Sequence, residues 1–150
     1  IPHSYSTAEN STELGDLIYR FGNPQAYDSA AERIFYNNHQ PTLVEHDPLT
    51  SGRFLIFSNG YDDKQSNVYE LRLPTIFNED PSLWILPEIT WTFTHPDLYF
   101  GVISGAYRLP NGNTLICEGD YGYWEVSRTG DVVWKFNGGG SYFWRGYVYP

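Results

Sequence analysis

The sequence has no methionine, one cysteine and half as many basic as acidic residues. The single Cys117 cannot form an internal disulfide, which leaves the redox compartment open. Nine basic against 18 acidic residues give a net charge of −9, and such a field repels a phosphate backbone, so nucleic acid is a poor partner. No stretch approaches the roughly 20 apolar residues that cross a bilayer, so no membrane span is predicted. A first residue that is isoleucine rather than methionine predicts a processed or excised product.

Helical periodicity is also scarce, and the composition is that of a β protein. Aromatic residues make up 18% of the chain, which also holds 14 glycines and 10 prolines, and aromatic residues favour strands while Gly and Pro mark turns. The only helix candidate is the short stretch 29–35. Predicted strands recur between turn signals at residues 17–21, 42–46, 53–57, 68–73, 89–93, 103–108, 113–118, 122–127 and 131–136.

An internal repeat organises these predicted strands. Residues 52–60 match 112–119, residues 68–71 match 123–126, and residues 89–93 match 132–136, in the same order. With the runs that precede them, each unit has four strands, and the second unit is slightly smaller than an ordinary β-propeller blade.

The repeat predicts an all-β fold of four-stranded antiparallel propeller blades. One domain, residues 1–150, would hold blades at 42–93 and 103–136, with parts of flanking blades at 1–21 and 142–150. Their two sheets are expected to pack face to face through Trp91, Trp134, Phe57 and Leu115. About three blades cannot close a ring of four to eight, so the expected partner is the remaining half of the propeller or another copy of the chain. The alternative fold is a β-sandwich of about ten strands.

Several runs resemble the C-terminal half of arylsulfotransferase-like propeller proteins. These runs are GDLIYRFGNPQAY (residues 15–27), LVEHD (43–47), FSNG (57–60), SGAYRLPNGNTLI (104–116) and FWRGY (143–147). The resemblance covers nearly the whole chain and implies a six-bladed, exported protein, secreted or periplasmic, whose N-terminal half is missing here. The true sulfotransferases of this kind move sulfuryl groups between phenolic compounds through a sulfated histidine in the central channel.

Carried onto this sequence, the resemblance makes His46 the candidate catalytic residue. Arg108, Arg145 and Asn59 are the candidate substrate ligands, because guanidinium and amide donors suit the oxygens of a small aryl sulfate. No cofactor and no metal ion are predicted. The sequence departs from the family at Glu45, where the sulfotransferases have glutamine, and at residues 61–63 (YDD), where they have a basic residue.

Each candidate also has a structural interpretation. His46, next to two acidic residues and near Pro48, is equally typical of a hydrogen-bonded histidine that ends a strand. Arg108 and Arg145 are also typical of ion pairs to a neighbouring blade, and Trp91 and Trp134 of the core between blades. The alternative function is therefore a non-catalytic propeller that serves as an extracellular binding or structural module.

Overall fold

The computed structural model describes residues 19–28, 31–60, 64–75 and 83–148. In these ranges the chain forms eight strands in two four-stranded antiparallel sheets and one short 3₁₀ helix, so the all-β prediction is confirmed. The strands follow one another in each sheet in chain order. The first sheet holds β1 (Asn38–Leu43), β2 (Phe54–Ser58), β3 (Asn67–Arg72) and β4 (Glu88–Thr94); the second holds β5 (Gly105–Arg108), β6 (Thr114–Glu118), β7 (Gly122–Val126) and β8 (Val132–Asn137).

The chain divides into two compact units. The larger unit, residues 35–73 and 87–150, contains both sheets. The smaller unit, residues 1–34 and 74–86, contains the 3₁₀ helix Pro24–Tyr27. In the smaller unit Trp84 packs against the rings of Tyr19 and Tyr27, with centroids 5.7 and 5.6 Å away. No helix in the described ranges is long and apolar enough to cross a membrane.

Seven of the eight strands lie within two residues of the predicted runs, and β1 does not. It begins at Asn38 and ends at Leu43, ahead of His46. Pro41 is unfavourable inside a strand, because proline cannot donate a hydrogen bond to the ladder. The chain accommodates it at the sheet edge, where the β1–β2 register shifts between His39 and Thr42 and Gln40 takes a φ of 46°. Such an irregularity is a β-bulge, which a pattern of alternating residues does not reveal.

Three other local predictions are wrong over the residues that the structure describes. Residues 31–35 are not helical, so the helix predicted at 29–35 is wrong over its described part; residues 29–30 lie outside the described ranges. The strand predicted at 17–21 is not formed at 19–21, and the part of a flanking blade predicted at 142–150 forms no strand at 142–148; residues 17, 18, 149 and 150 lie outside the described ranges.

The structure of the hairpin between β5 and β6 explains the glycine in its Pro-Asn-Gly turn. The amide of Gly112 donates to the carbonyl of Leu109 over 2.9 Å, and the amide of Leu109 donates to the carbonyl of Asn113 over 2.8 Å. Gly112 has a φ of +87°, which L-residues rarely adopt. A Cβ there would also lie 2.5 Å from Nε of Arg128. Glycine is therefore the residue that position 112 accommodates without strain.

The main core lies between the two sheets. The first sheet contributes Leu55, Phe57, Val68 and Phe93, and the second contributes Ala106, Ile116, Trp124 and Val126. Alternation along the strands sends every second side chain of the second sheet to the opposite face. Two of the four predicted contact residues are therefore wrong: Leu115 is half-buried on that opposite face, and Trp134 is 48% exposed. Phe57 and Trp91 pack in or against the core as predicted.

Adjacent residues of β6 test this assignment of faces. Ile116→Ala should lower the free energy of unfolding by about 2–5 kcal/mol, because it leaves a cavity in the core between the sheets. Leu115→Ala should lower it by about 1 kcal/mol, because its face is only partly covered. Urea unfolding of both variants measures the difference. Equal losses would show that the two faces are buried alike and would contradict the assignment.

Candidate functional site

The four residues predicted for the site lie in different surroundings. His46 is exposed in the turn that follows β1, and Arg145 is exposed in the segment after β8. Arg108, at the end of β5, and Asn59, just after β2, are buried. No hydrogen bond or ion pair joins any two of these four within the described residues. Their roles in binding a sulfate ester therefore stay predictions.

Arg108 lies between the sheets and is bonded to protein groups. Its Nη2 donates to Oε2 of Glu70 over 2.6 Å, and its Nη1 donates to Oγ1 of Thr114 over 2.7 Å. The guanidinium also stacks on Trp91, with Cζ 4.9 Å from the ring centroid. Since both Nη atoms are engaged and the side chain is 2% exposed, Arg108 holds the two sheets together in this structure.

Glu70 is the partner that keeps Arg108 in place. Its carboxylate is 1% exposed and also accepts hydrogen bonds from Nη1 of Arg53, over 2.7 Å, and from Oγ1 of Thr90, over 2.6 Å. Burial raises the pKa of Glu70, but the hydrogen bonds and the charge of Arg108 outweigh it, so the pKa lies below its ordinary value. The residue is thus a buried carboxylate whose charge is compensated by two arginines.

The turn that carries His46 is held in place by hydrogen bonds to the next residue, Asp47. Asp47 is 2% exposed and accepts hydrogen bonds from the guanidinium of Arg128 and from the amide of Leu49, the latter over 3.1 Å. Burial works against ionisation of Asp47, yet the hydrogen bonds from Arg128 and Thr50 lower its pKa to about 2. The carboxylate of Asp47 is therefore occupied by Arg128, and His46 projects from this turn into solvent.

Asn59 has its amide orientation set by two backbone carbonyls. Its Nδ2 lies 2.5 Å from the carbonyl oxygen of Phe100 and 2.6 Å from that of Ile103. Only the NH₂ group can donate to two carbonyls, so the other end of the amide is Oδ1. This Oδ1 lies 2.6 Å from Nδ1 of His39.

The environment of His39 defines its tautomer. Nδ1 faces two acceptors, Oδ1 of Asn59 at 2.6 Å and the carbonyl oxygen of Asn37 at 3.0 Å. Nδ1 must therefore carry the hydrogen, and in the neutral ring Nε2 carries the lone pair. No described residue is bonded to Nε2. His39 is thus an imidazole held in the form that presents a basic nitrogen.

Sequence reasoning missed His39 because the strand was predicted to begin at Thr42. The bulge at Gln40 and Pro41 extends β1 backwards and pairs His39 with Phe57. One signal was present: Asn59 was singled out at the end of β2, and an antiparallel neighbour brings the start of β1 to that same edge. The missing step was the recognition that a strand can continue through Pro41.

A cleft of about 430 Å³ lies on the face of the second sheet that points away from the core. It is lined by Leu115, Tyr123, Trp134, Arg145, Gly146 and Tyr147. The hydroxyl of Tyr123 donates to the backbone carbonyl of Arg145 over 3.2 Å. The guanidinium of Arg145 makes no ion pair with a described residue. Over the part of the chain that the structure describes, this cleft therefore combines aromatic surface with a guanidinium that has no ion-pair partner.

Two further titratable groups are buried. Cys117 is 1% exposed, and burial raises its pKa to about 12, so it remains a thiol. Burial also raises the pKa of Glu118, whose Oε2 accepts a hydrogen bond from Nε1 of Trp124 over 2.7 Å. Among the described residues, no group of three or more His, Cys, Asp or Glu could hold a metal ion.

Replacement of the buried carboxylate should make stability less dependent on pH. Because the pKa of Glu70 is lowered on folding, its stabilisation is present above the ordinary value of 4.5 and is lost as pH falls through the folded-state value. Glu70→Gln should lower the free energy of unfolding at neutral pH by about 3–5 kcal/mol, since it leaves Arg108 buried with its charge uncompensated. The deficit should shrink in acid.

The matched control is Glu88→Gln, which removes the exposed ion pair to Arg72. An exposed pair contributes less than about 1 kcal/mol, so this variant should unfold like the parent protein. A Glu70→Gln variant as stable as the Glu88→Gln variant would contradict the importance of the buried pair.

The tautomer of His39 is directly measurable. Nitrogen-15 NMR of histidine-labelled protein at about pH 8, above the ordinary imidazole range, should show His39 protonated at Nδ1. Exposed His46 should show the mixture of tautomers of a free imidazole, which makes it the internal control. Protonation of His39 at Nε2 would contradict the geometry described above.

No family model, no curated protein and no solved structure matches this chain.

Proposed function

We propose that the two sheets are neighbouring blades of a β-propeller similar to the arylsulfotransferase-like proteins. The strand order β1 to β4 is repeated in β5 to β8, and both sheets are antiparallel meanders. Matched sequence runs fall on matched strands, as for Leu55 in β2 and Leu115 in β6. These features support a repeated unit of the blade type, and ring closure is part of the proposal.

We further propose that the protein transfers sulfuryl groups between phenolic compounds, with His39 rather than His46 as the nucleophile. The observation that carries this is the hydrogen bond from Nδ1 of His39 to Oδ1 of Asn59. A histidine nucleophile needs a nitrogen with a free lone pair and a second group that fixes the ring. His39 has both features, whereas His46 lies in a solvent-exposed turn.

In the first half-reaction, Nε2 of His39 forms a bond to the sulfur of an aryl sulfate. The sulfur–oxygen bond to the aryl group breaks, and its electron pair leaves with the phenolate, which takes a proton from water. The ring becomes cationic, and the oxygen of Asn59 accepts the hydrogen of Nδ1 and stabilises this charge. In the second half-reaction, an acceptor phenol releases its proton to solvent as its oxygen bonds the sulfur, and the nitrogen–sulfur electrons return to Nε2.

The predicted substrate ligands take different roles in this proposal. Asn59 is a positioning residue, since both of its amide hydrogens go to backbone carbonyls. Arg108 packs between the sheets through its bonds to Glu70. Arg145, whose guanidinium makes no ion pair with a described residue, is the arginine we assign to the sulfate oxygens. As in the proteins it resembles, we propose an exported protein, secreted or periplasmic.

The second candidate function is a non-catalytic binding or structural module. The observation that favours it is the engagement of Arg108, which removes one of two predicted cations from any anion site. For a site at His46, the departure from the family at Glu45 acts in the same direction, because a carboxylate beside that histidine would repel a sulfate ester.

Histidine variants separate these functions. In the protein at the length that its gene encodes, His39→Ala should reduce sulfuryl transfer from 4-nitrophenyl sulfate to phenol by at least about 1,000-fold, because the nucleophile is lost. The matched control His46→Ala should retain the parent rate. Release of nitrophenolate measures the rate, and intact mass after incubation with donor alone should show one sulfuryl group on the parent and none on His39→Ala.

Two results would contradict the assignment. Loss of transfer in His46→Ala with retention in His39→Ala would return the role to His46. A parent protein that folds and shows neither transfer nor a sulfated form would favour the non-catalytic module. Thermal unfolding of each variant, expected to match the parent within a few degrees, shows that the comparison is made between folded proteins.

A further inference from the structure

Gln40, the residue after His39 in β1, carries a buried amide that no described residue bonds. Gln40 is 8% exposed, and neither its Nε2 nor its Oε1 has a hydrogen-bond partner among the described residues. A buried polar group without a partner lowers the stability of a protein, so native structures hold few of them. The amide of Gln40 thus offers a donor and an acceptor that the fold itself does not use.

The neighbouring strand leaves room for this amide. A Cβ at Gly105, the first residue of β5, would overlap Oε1 of Gln40 and lie 2.6 Å from its Cδ. Gly105 does not have the positive φ at which glycine is favoured. The absent side chain of Gly105 therefore serves the space that Gln40 occupies and not the backbone conformation of β5.

The bulge in β1 turns Gln40 and His39 towards the same segment. Adjacent side chains of a regular strand point to opposite faces, but here the register shifts after His39, and Gln40 has a φ of 46°. Gln40 lies against Gly105. His39 reaches the same segment through Asn59, which donates to the carbonyl of Ile103. Bulges next to active sites re-aim side chains in this way.

Unfavourable backbone conformations are concentrated around the same residues. Of the six non-glycine residues with a positive φ in the described ranges, four are Asn37, Gln40, Ile103 and Ser104. The carbonyl of Asn37 contacts His39, and the carbonyl of Ile103 orients Asn59. A positive φ is especially unfavourable for a β-branched residue such as Ile103. Such conformations cluster at functional sites, where the surrounding structure holds them.

We propose that Gln40 is a substrate-binding residue of the His39 site and that its amide binds both reacting groups. This inference rests on the proposed function. The sulfuryl oxygens at Nε2 of His39 only accept hydrogen bonds, whereas the hydroxyl of the acceptor phenol donates one. Nε2 of Gln40 donates to a sulfuryl oxygen, and Oε1 of Gln40 accepts from the hydroxyl. One side chain thus aligns the phenol oxygen with the sulfur.

Gln40 orients these groups and exchanges no proton with them. The phenol still releases its proton to solvent as its oxygen bonds the sulfur. The amide reaches the reacting groups by rotation of its unbranched side chain away from Gly105, at the edge of β1 that no other described strand covers. No hydrogen bond of the amide to a described residue has to break for this rotation.

The variant Gln40→Met tests the proposal, because methionine keeps the unbranched shape and removes both the donor and the acceptor. In the protein at the length that its gene encodes, this variant should melt at least about 2 °C higher, since a buried amide without a partner is lost. Its transfer from 4-nitrophenyl sulfate to phenol should be about 100-fold slower, since a donor to the reacting group is lost.

The matched control is Gln65→Met. Nε2 of Gln65 donates to the backbone carbonyls of Ser66, His95 and Leu98, over 2.9, 3.1 and 3.2 Å. The same substitution at this position leaves those carbonyls short of a donor, so this variant should melt below the parent and keep the parent rate. Opposite shifts of the melting temperature at positions 40 and 65 are the pattern that a structural role for Gln40 would not produce.

Two results would overturn the proposal: a Gln40→Met variant that melts lower, as Gln65→Met does, or one that transfers at the parent rate. With transfer still dependent on His39, either result leaves the proposed function intact. A parent without transfer contradicts the proposed function, and binding then decides the role of Gln40. Its side-chain amide resonances, assigned with Gln40→Met, should shift when 4-nitrophenyl sulfate is added to the His39→Ala protein. Unchanged resonances would also overturn the proposal.

Discussion

The architecture depends on one buried charge. Glu70 lies between two apolar sheet faces and is 1% exposed, and a carboxylate in such a place is strongly destabilising unless it is paired and hydrogen-bonded. Arg53, which precedes β2 of the first sheet, and Arg108, in β5 of the second sheet, provide the compensating charge. The requirement that Arg108 reach Glu70 sets the position of β5 on the first sheet. The aromatic core around Phe93 and Trp124 then packs in that register.

Local sequence signals predicted most of this fold. Alternating β-rich runs between Gly and Pro turns located β2 to β8, because each strand has one face in the core between the sheets. The same signals failed at β1, where the pattern is interrupted by Pro41 and by the positive φ of Gln40. They also failed at Trp134. Alternation shows which side chains share a face of a strand, but it does not show which element packs against that face.

The candidate site was harder to predict for a physical reason. Nothing in the residues near Arg108 indicates that its partner is Glu70, which is distant in sequence, so an arginine that serves packing and one that serves a substrate have the same local pattern. His39 was missed because the predicted strand began at Thr42. Its contact with Asn59 depends in turn on the carbonyls of Phe100 and Ile103, which orient the amide of Asn59. These contacts join residues that are distant in sequence, so they form only when the two sheets have packed.

The buried ion pair has a consequence for how the two repeated units can vary. Glu70 and Glu125 stand at matched positions of the repeat, but Glu70 is buried with two arginines, whereas Glu125 is half-buried and accepts hydrogen bonds from the side chains of Asn111 and Asn113. A neutral residue in place of Arg108 would break a buried pair, at a cost of about 3–5 kcal/mol. Sequence change at Arg108 is therefore constrained by Glu70, whereas the neighbours of Glu125 can be neutral because solvent also reaches that carboxylate.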